Sequence, residues 1–133
     1  MMKAPLRMLL SLLLPATLAA GAHATTPAEQ QAAYTGTAGA PASAGRGEQF
    51  FTTRHGREWA CASCHTAAPV QPGRHAATGR PIAPLAPAFN PERFTDAAKT
   101  EKWFRRNCND VVGRQCTAGE KADVLAWLIT LKK

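Results

Sequence analysis

Methionine is missing from all but the first eight residues: Met1, Met2 and Met8 are the only ones in a chain of 133. The segment that carries them reads as a secretory signal, so the mature chain offers no thioether to a metal. The Met–His pairing that holds iron in many electron carriers is thereby excluded. No stretch reaches the roughly 20 apolar residues of a membrane-spanning helix, because Pro15 and the small residues after it interrupt the leading apolar run. Basic residues are scattered, and no run exceeds two, which argues against nucleic-acid binding. β-Alternation, a βαβ pattern and internal repeats are absent too. An all-α chain with one modest core is expected.

Export is legible at the N-terminus. Lys3 and Arg7 form the positive region, Leu9 to Leu14 with Leu18 the apolar core, and Ala22-His23-Ala24 an A-x-A cleavage site. Cleavage after Ala24 gives a signal peptide, 1–24, and one mature domain, 25–133, of 109 residues. The expected compartment is a bacterial periplasm, which permits disulfides. Loss of Lys3 and Arg7 lowers the formal net charge from +7 to +5. A mildly basic surface of this kind suits an acidic redox partner.

The informative motif is Cys61-Ala62-Ser63-Cys64-His65. C-x-x-C-H is the attachment pattern of a c-type haem. Two thiols three positions apart can each add to a vinyl group on one porphyrin edge, and the next imidazole is delivered to the iron as proximal ligand. A redox C-x-x-C would need a βαβ setting, which is missing. A zinc site would have to recruit Cys108 and Cys116 at intervals of two, 43 and seven residues, unlike paired zinc ligands. The single motif implies one covalent haem c.

Around the motif the pattern is helical. Thr26-Pro27-Ala28-Glu29 is a capped start for a short helix ending near Gly36, followed by a linker to Gly45. A second helix is expected from about Ala44 to Thr53, with Gly47 and Phe51 on one face. From Thr66 to Pro91 the chain holds six of the mature domain's eight prolines, so no regular helix or strand is expected there. A loop this long needs something to wrap, and a haem supplies it. Asn90-Pro91-Glu92 reads as a short helical start. A third helix is expected from Asp96 to about Arg106, with Arg105 and Arg106 in its last turn. Thr117-Ala118-Gly119-Glu120 caps a final helix carrying Val124, Leu125, Leu128, Ile129 and Leu131 at helical spacing.

Cys108 and Cys116 remain after the haem takes its two thiols. An even pair in an oxidising compartment reads as a disulfide. With methionine excluded, the sixth iron position is open to His55, His75, Asn107, Asn109, Lys99, Lys102 or water. His55 is too close to the motif to be an obvious choice, while His75 could reach from its loop. Taken singly, Asn107 reads as a helix-end residue, where Asn tolerates left-handed geometry.

Gly45-Arg46-Gly47-Glu48-Gln49-Phe50-Phe51, CASCH, and the closing Val124-Leu125-Ala126-Trp127-Leu128 together resemble class I cytochromes c. In that fold a Gly and an aromatic of the N-terminal helix cross an aromatic of the C-terminal one, and Gly47, Phe51 and Trp127 match those places. IAPLAP (Ile82 to Pro87), ERFTD (Glu92 to Asp96), EKW (Glu101 to Trp103) and RNCNDVVGRQCTAGEKADVLAWL (Arg106 to Leu128) are more specific. They resemble the SHP (sphaeroides haem protein) family of monohaem cytochromes c, from about Pro41 to Leu131. The resemblance implies about four helices with the Pro-rich loop wrapping one haem. It implies Asn107 as sixth ligand, where a related cytochrome, c double-prime, has His, and a disulfide at Cys108 and Cys116. The first helix and the loop from Thr66 to Arg80 match less well.

The implied function is one-electron transfer with a labile Asn ligand, allowing O2, NO or CO to bind when reduced. The resemblance further suggests a dihaem cytochrome c and a membrane cytochrome b as redox partners, and the protein is expected to be a monomer. Two alternatives stand beside this reading. One is a plain electron carrier closed by a strong sixth ligand such as His75. The other is an enzyme acting on O2, NO or a nitrogen oxide, although no dedicated distal acid–base pair is visible.

Overall fold

The computed structural model describes residues 24–133. The n-region, apolar core and most of the cleavage site of the expected signal peptide lie outside the described residues. Helix α1, Pro27–Ala38, opens as expected: Glu29 N donates to Thr26 Oγ1 at 3.2 Å and Thr26 N to the Glu29 carboxylate at 2.7 Å. It runs past Gly36 and stops at Gly39, which takes the left-handed conformation (φ 66°) that glycine accommodates without strain. Packing on the last helix, where Ala38 lies against Gly119, sustains the two extra residues, and the linker shrinks to the residues before Ser43. Ser43 caps α2, Ala44–Thr52.

The attachment motif is itself a short helix, α3, Cys61–His65. The Pro-rich stretch is not wholly irregular. Strands β1, Gly73–Arg74, and β2, Pro81–Ile82, pair antiparallel, with Gly73 opposite Ile82 and Arg74 opposite Pro81. Period-2 patterning cannot reveal strands of two residues, and Pro81 is tolerated at a strand's first position. Asn90-Pro91-Glu92 forms turns rather than a helical start. Leu85 N and Ala86 N both donate to Pro69 O at 3.0 Å, pinning the loop's return to the buried Pro69.

Helix α4, Ala97–Val111, is capped by Asp96, and α5, Ala118–Thr130, by the Thr117–Glu120 box. The α4 boundary corrects the expectation of an end near Arg106. The helix continues because Cys108 and Val111 extend its buried face, and Gly113 (φ 82°) then ends it, its N–H bonding Cys108 O at 3.0 Å. Arg105 and Arg106 are therefore interior to the helix. The described residues thus form five helices and one small ribbon, the helix beyond the four expected being the motif turn α3.

The core is the crossing of α2 and α5. A Cβ on Gly47 would collide with the Asp123 carbonyl, so only glycine lets the two backbones approach this closely. Phe51 meets Trp127 with ring centroids 5.0 Å apart, and Leu125 and Leu128 are fully buried. Asp123 locks the crossing: it accepts from Ser43 N at 2.6 Å and takes Arg46 bidentately at 2.7 and 2.8 Å. Lys121, 8% exposed, ties α5 to α1 and α4. Its ammonium sits 2.7 and 2.8 Å from the Glu101 oxygens and over the Tyr34 ring, while Tyr34 Oη donates to Glu101 at 2.9 Å.

Candidate haem site

The site is assembled by three segments. Ser63 shapes the motif: its hydroxyl accepts from Ala60 N at 3.0 Å and its own N–H donates to Ala60 O at 3.0 Å, winding the turn that sets Cys61 and Cys64 one helical turn apart. Thr66 then leaves at φ 68°, a strained conformation for a β-branched residue, and turns the chain sharply away from His65. The Pro-rich segment returns against the motif. A Cβ on Gly73 would strike the Cys64 carbonyl, and Ala76 N donates to Cys64 Sγ at 3.2 Å.

His65 is half-buried, and its ring lies 6.1 Å from Phe51. Burial, with the Arg93 guanidinium adding in the same direction, pushes its pKa down to about 4. At neutral pH the imidazole is therefore uncharged, as a metal ligand must be. Neither ring nitrogen is engaged among the described residues. Burial pushes the Cys61 thiol up to about 11, so it is held protonated. Arg93 braces the loop, donating from Nε to Pro84 O at 3.0 Å and from Nη2 to Ala83 O at 2.8 Å.

Cys61, Ala62, Leu85, Phe94 and Phe104 pack against the α2–α5 core yet remain only half-buried. Paired thiols, a neutral imidazole and an apolar shelf of this kind fit a covalently held porphyrin. Cys61 and Cys64 would hold its edge and His65 its iron.

Helix α4 carries the remaining candidates. Asn107 lies within the helix, four residues before its last, and not at a helix end as its residue type alone had suggested. It is exposed, and its amide is unengaged among the described residues, whereas Asn109 Oδ1 accepts from Gln115 Nε2 at 3.0 Å. Trp103 shares the Asn107 face one turn earlier, is 44% exposed, and carries the Arg106 guanidinium 5.6 Å from its ring centroid. Cys108 and Cys116 form a disulfide with Cα atoms 5.7 Å apart, joining α4 to the start of α5 beside Phe50 and Phe104. The loop entering the motif reaches the end of α4, with Arg57 packed beside Gly113.

The two other histidines have local roles. His55 Nε2 lies 2.8 Å from Phe50 O, and its ring stacks on Phe50 at 4.3 Å. His75 is exposed in the ribbon's turn, its Nδ1 accepting from Thr78 N at 3.3 Å. Sequence reasoning missed Arg93 and the approach of Gly73. An isolated glycine in an extended segment was the available signal for the second; Arg93 had none.

A family model described as "Domain of unknown function (DUF1924)" matches residues 37–128. The chain is 51% identical over 123 residues to cytochrome c-type protein SHP of Cereibacter sphaeroides, covering 88% of this chain and 95% of that protein. It belongs to the SHP family of c-type cytochromes. A solved structure of oxidized SHP, an oxygen-binding cytochrome c, superposes with TM-score 0.77 at 49% identity, over 81% of this chain and 99% of the other. Cytochrome c'' of Methylophilus methylotrophus is 48% identical over 83 residues, 62% of this chain and 58% of that protein. Its oxidized crystal structure gives TM-score 0.72 at 39% identity, over 80% of this chain and 95% of the other. The SHP-family chain is thus an all-α, class I-like cytochrome whose cofactor is covalent haem c. Among its described residues no helix is long and apolar enough to cross a membrane.

Proposed function

We propose that this SHP-family cytochrome is a periplasmic monohaem electron carrier that binds O2, NO or CO in its reduced form. Cys61 and Cys64 form the thioethers, His65 is the proximal ligand and Asn107 the sixth ligand of ferric iron. The haem supplies a one-electron redox change and a coordination position for diatomics. The observation that carries the ligand reading is Asn107 itself: an exposed, unengaged amide next to a disulfide-anchored helix segment, in a chain whose mature part lacks methionine. A neutral amide oxygen is a weak, hard donor suited to ferric iron, and the softer ferrous ion holds it poorly. On reduction the Asn107 amide would be released, and Trp103 and Phe104 would keep its surroundings apolar. The relative described as an oxygen-binding cytochrome c supports the same reading.

Cleavage after Ala24 delivers residues 25–133 to the periplasm as a monomer, with a dihaem cytochrome c and a membrane cytochrome b as electron donors. The exposed position of His75, with its Nδ1 already accepting from Thr78, disfavours the plain carrier closed by that residue. An enzyme acting on O2, NO or a nitrogen oxide would instead show steady-state turnover with a supplied reductant. The test is the optical and EPR spectrum of ferric and ferrous protein with and without CO. High-spin or near-crossover ferric iron and rapid CO binding are expected. Low-spin iron in both states with no CO adduct would replace this reading with the plain carrier.

A further inference from the structure

From Trp59 to Pro91 the chain contains no Asp or Glu, although Glu58 and Glu92 stand immediately outside that stretch. Its two cations are Arg74 and Arg80, both exposed and both in the β1–β2 ribbon or its turn. The ribbon is internally braced. His75 N donates to Arg80 O at 2.9 Å, Gly79 N to His75 O at 2.8 Å, and Arg74 Nη1 to Gly79 O at 3.0 Å. It is also fixed to the attachment motif through Ala76 N and Cys64 Sγ, 3.2 Å apart. A rigid cationic projection therefore stands one hydrogen bond from the sulfur expected to carry a thioether.

The geometry points to the ribbon from Gly73 to Ile82 as the docking surface for an acidic patch on a protein redox partner, with electrons passing at the Cys64 edge. The inference rests on Cys64 being a haem thioether, as proposed above. Charge complementarity selects the partner: positive potential without interspersed carboxylates attracts an acidic surface and raises its encounter rate. A membrane is the weaker occupant, because each cation contributes only about 1 kcal/mol at an anionic bilayer. The bracing reduces the ordering cost of association.

Holoprotein labelled with 15N would be titrated with hexacyanochromate(III), a redox-inert paramagnetic anion. Selective broadening of amide signals from residues 73–82 is expected, and broadening spread evenly over the surface would overturn the proposal. In stopped flow, ferricyanide takes one electron from the reduced protein and becomes ferrocyanide. Arg80→Glu, whose side chain braces nothing, should slow this several-fold at low ionic strength, and Arg74→Glu with Arg80→Glu up to about tenfold. Oxidation by cationic tris(phenanthroline)cobalt(III) should quicken instead. Lys132→Glu with Lys133→Glu makes the same change in net charge and should have little effect; equal slowing by both pairs would mean that overall charge, not the ribbon, governs the rate. Binding of wild-type protein, but not the ribbon variant, to phosphatidylglycerol vesicles, with ferricyanide rates unchanged, would assign the ribbon to membranes and end this proposal. Unaltered ferric spectra and CO binding in the variants separate its failure from failure of the haem-site reading.

Discussion

The α2–α5 crossing and the shelf beside His65 are built from similar residues but completed differently. At the crossing, Phe51, Val124, Leu125, Trp127 and Leu128 are 0–5% exposed, and two backbones approach closely enough to require Gly47. At the shelf, Cys61, Ala62, Leu85, Phe94 and Phe104 back onto that same core, yet each keeps part of its surface outside it. The crossing is finished by the chain itself. The shelf presents an apolar face that a flat, covalently held ring matches. Substitutions should therefore separate the two functions: damage at the crossing costs stability, and damage at the shelf costs cofactor chemistry.

The largest separation is expected at the thiols. Cys61→Ser with Cys64→Ser should abolish covalent haem while leaving the crossing's residues intact. A pyridine haemochrome spectrum that still shows c-type haem would refute their assignment. The converse change is Gly47→Val, which forces side-chain atoms into the Asp123 carbonyl. Overpacking of this kind costs about 1–3 kcal/mol. Thermal unfolding of the holoprotein should shift down accordingly, with its ferric spectrum unchanged; an unshifted midpoint would mean the helices separate readily.

Much of the crossing was legible in the sequence because it depends on local rules. The Thr26 and Thr117 capping boxes are short-range, and Gly47 and Phe51 share a face by helical spacing alone. The end of α4 was misread for an identifiable reason. Arg105-Arg106 resembles a cationic last turn, but the burial of Cys108 and Val111 carries the helix on to the left-handed glycine at 113. Tertiary packing outweighed a weak electrostatic signal. The ribbon and the Lys121–Glu101–Tyr34 contact depend on segments brought together only in the fold. Nothing local distinguishes a buried Lys121 from an exposed one.

A narrower change is expected at Asn107, where substitution alters one proposed iron ligand and leaves covalent attachment intact. Asn107→His should turn the ferric spectrum low-spin, and Asn107→Ala should leave water or an open position. His75→Ala should alter neither oxidation state. EPR of each ferric variant decides; a His75 variant that alone becomes CO-reactive would move the sixth ligand to that residue.

The smallest and most conditional effect concerns Glu101, which joins the crossing to α4. Hydrogen bonds from Lys121, then Tyr34, hold its carboxyl below the ordinary value of 4.5 against the opposing effect of burial. A depressed carboxylate contributes stability that is present above its unfolded pKa and lost as pH falls through the folded one. Its side chain is 44% exposed, so solvent screening keeps the ion pair itself to about 1 kcal/mol or less. Lys121 is the buried partner, and Glu101→Gln leaves its ammonium with a neutral acceptor, so some loss should appear at neutral pH. Wild type and Glu101→Gln should differ in unfolding free energy near pH 7, and the difference should shrink on acidification below the ordinary carboxyl range. Denaturant titrations followed by far-UV circular dichroism measure this directly. A difference that stays constant into acid would mean that Glu101 acts through packing rather than charge, and that the contact between α4 and the crossing is apolar, made by Phe104.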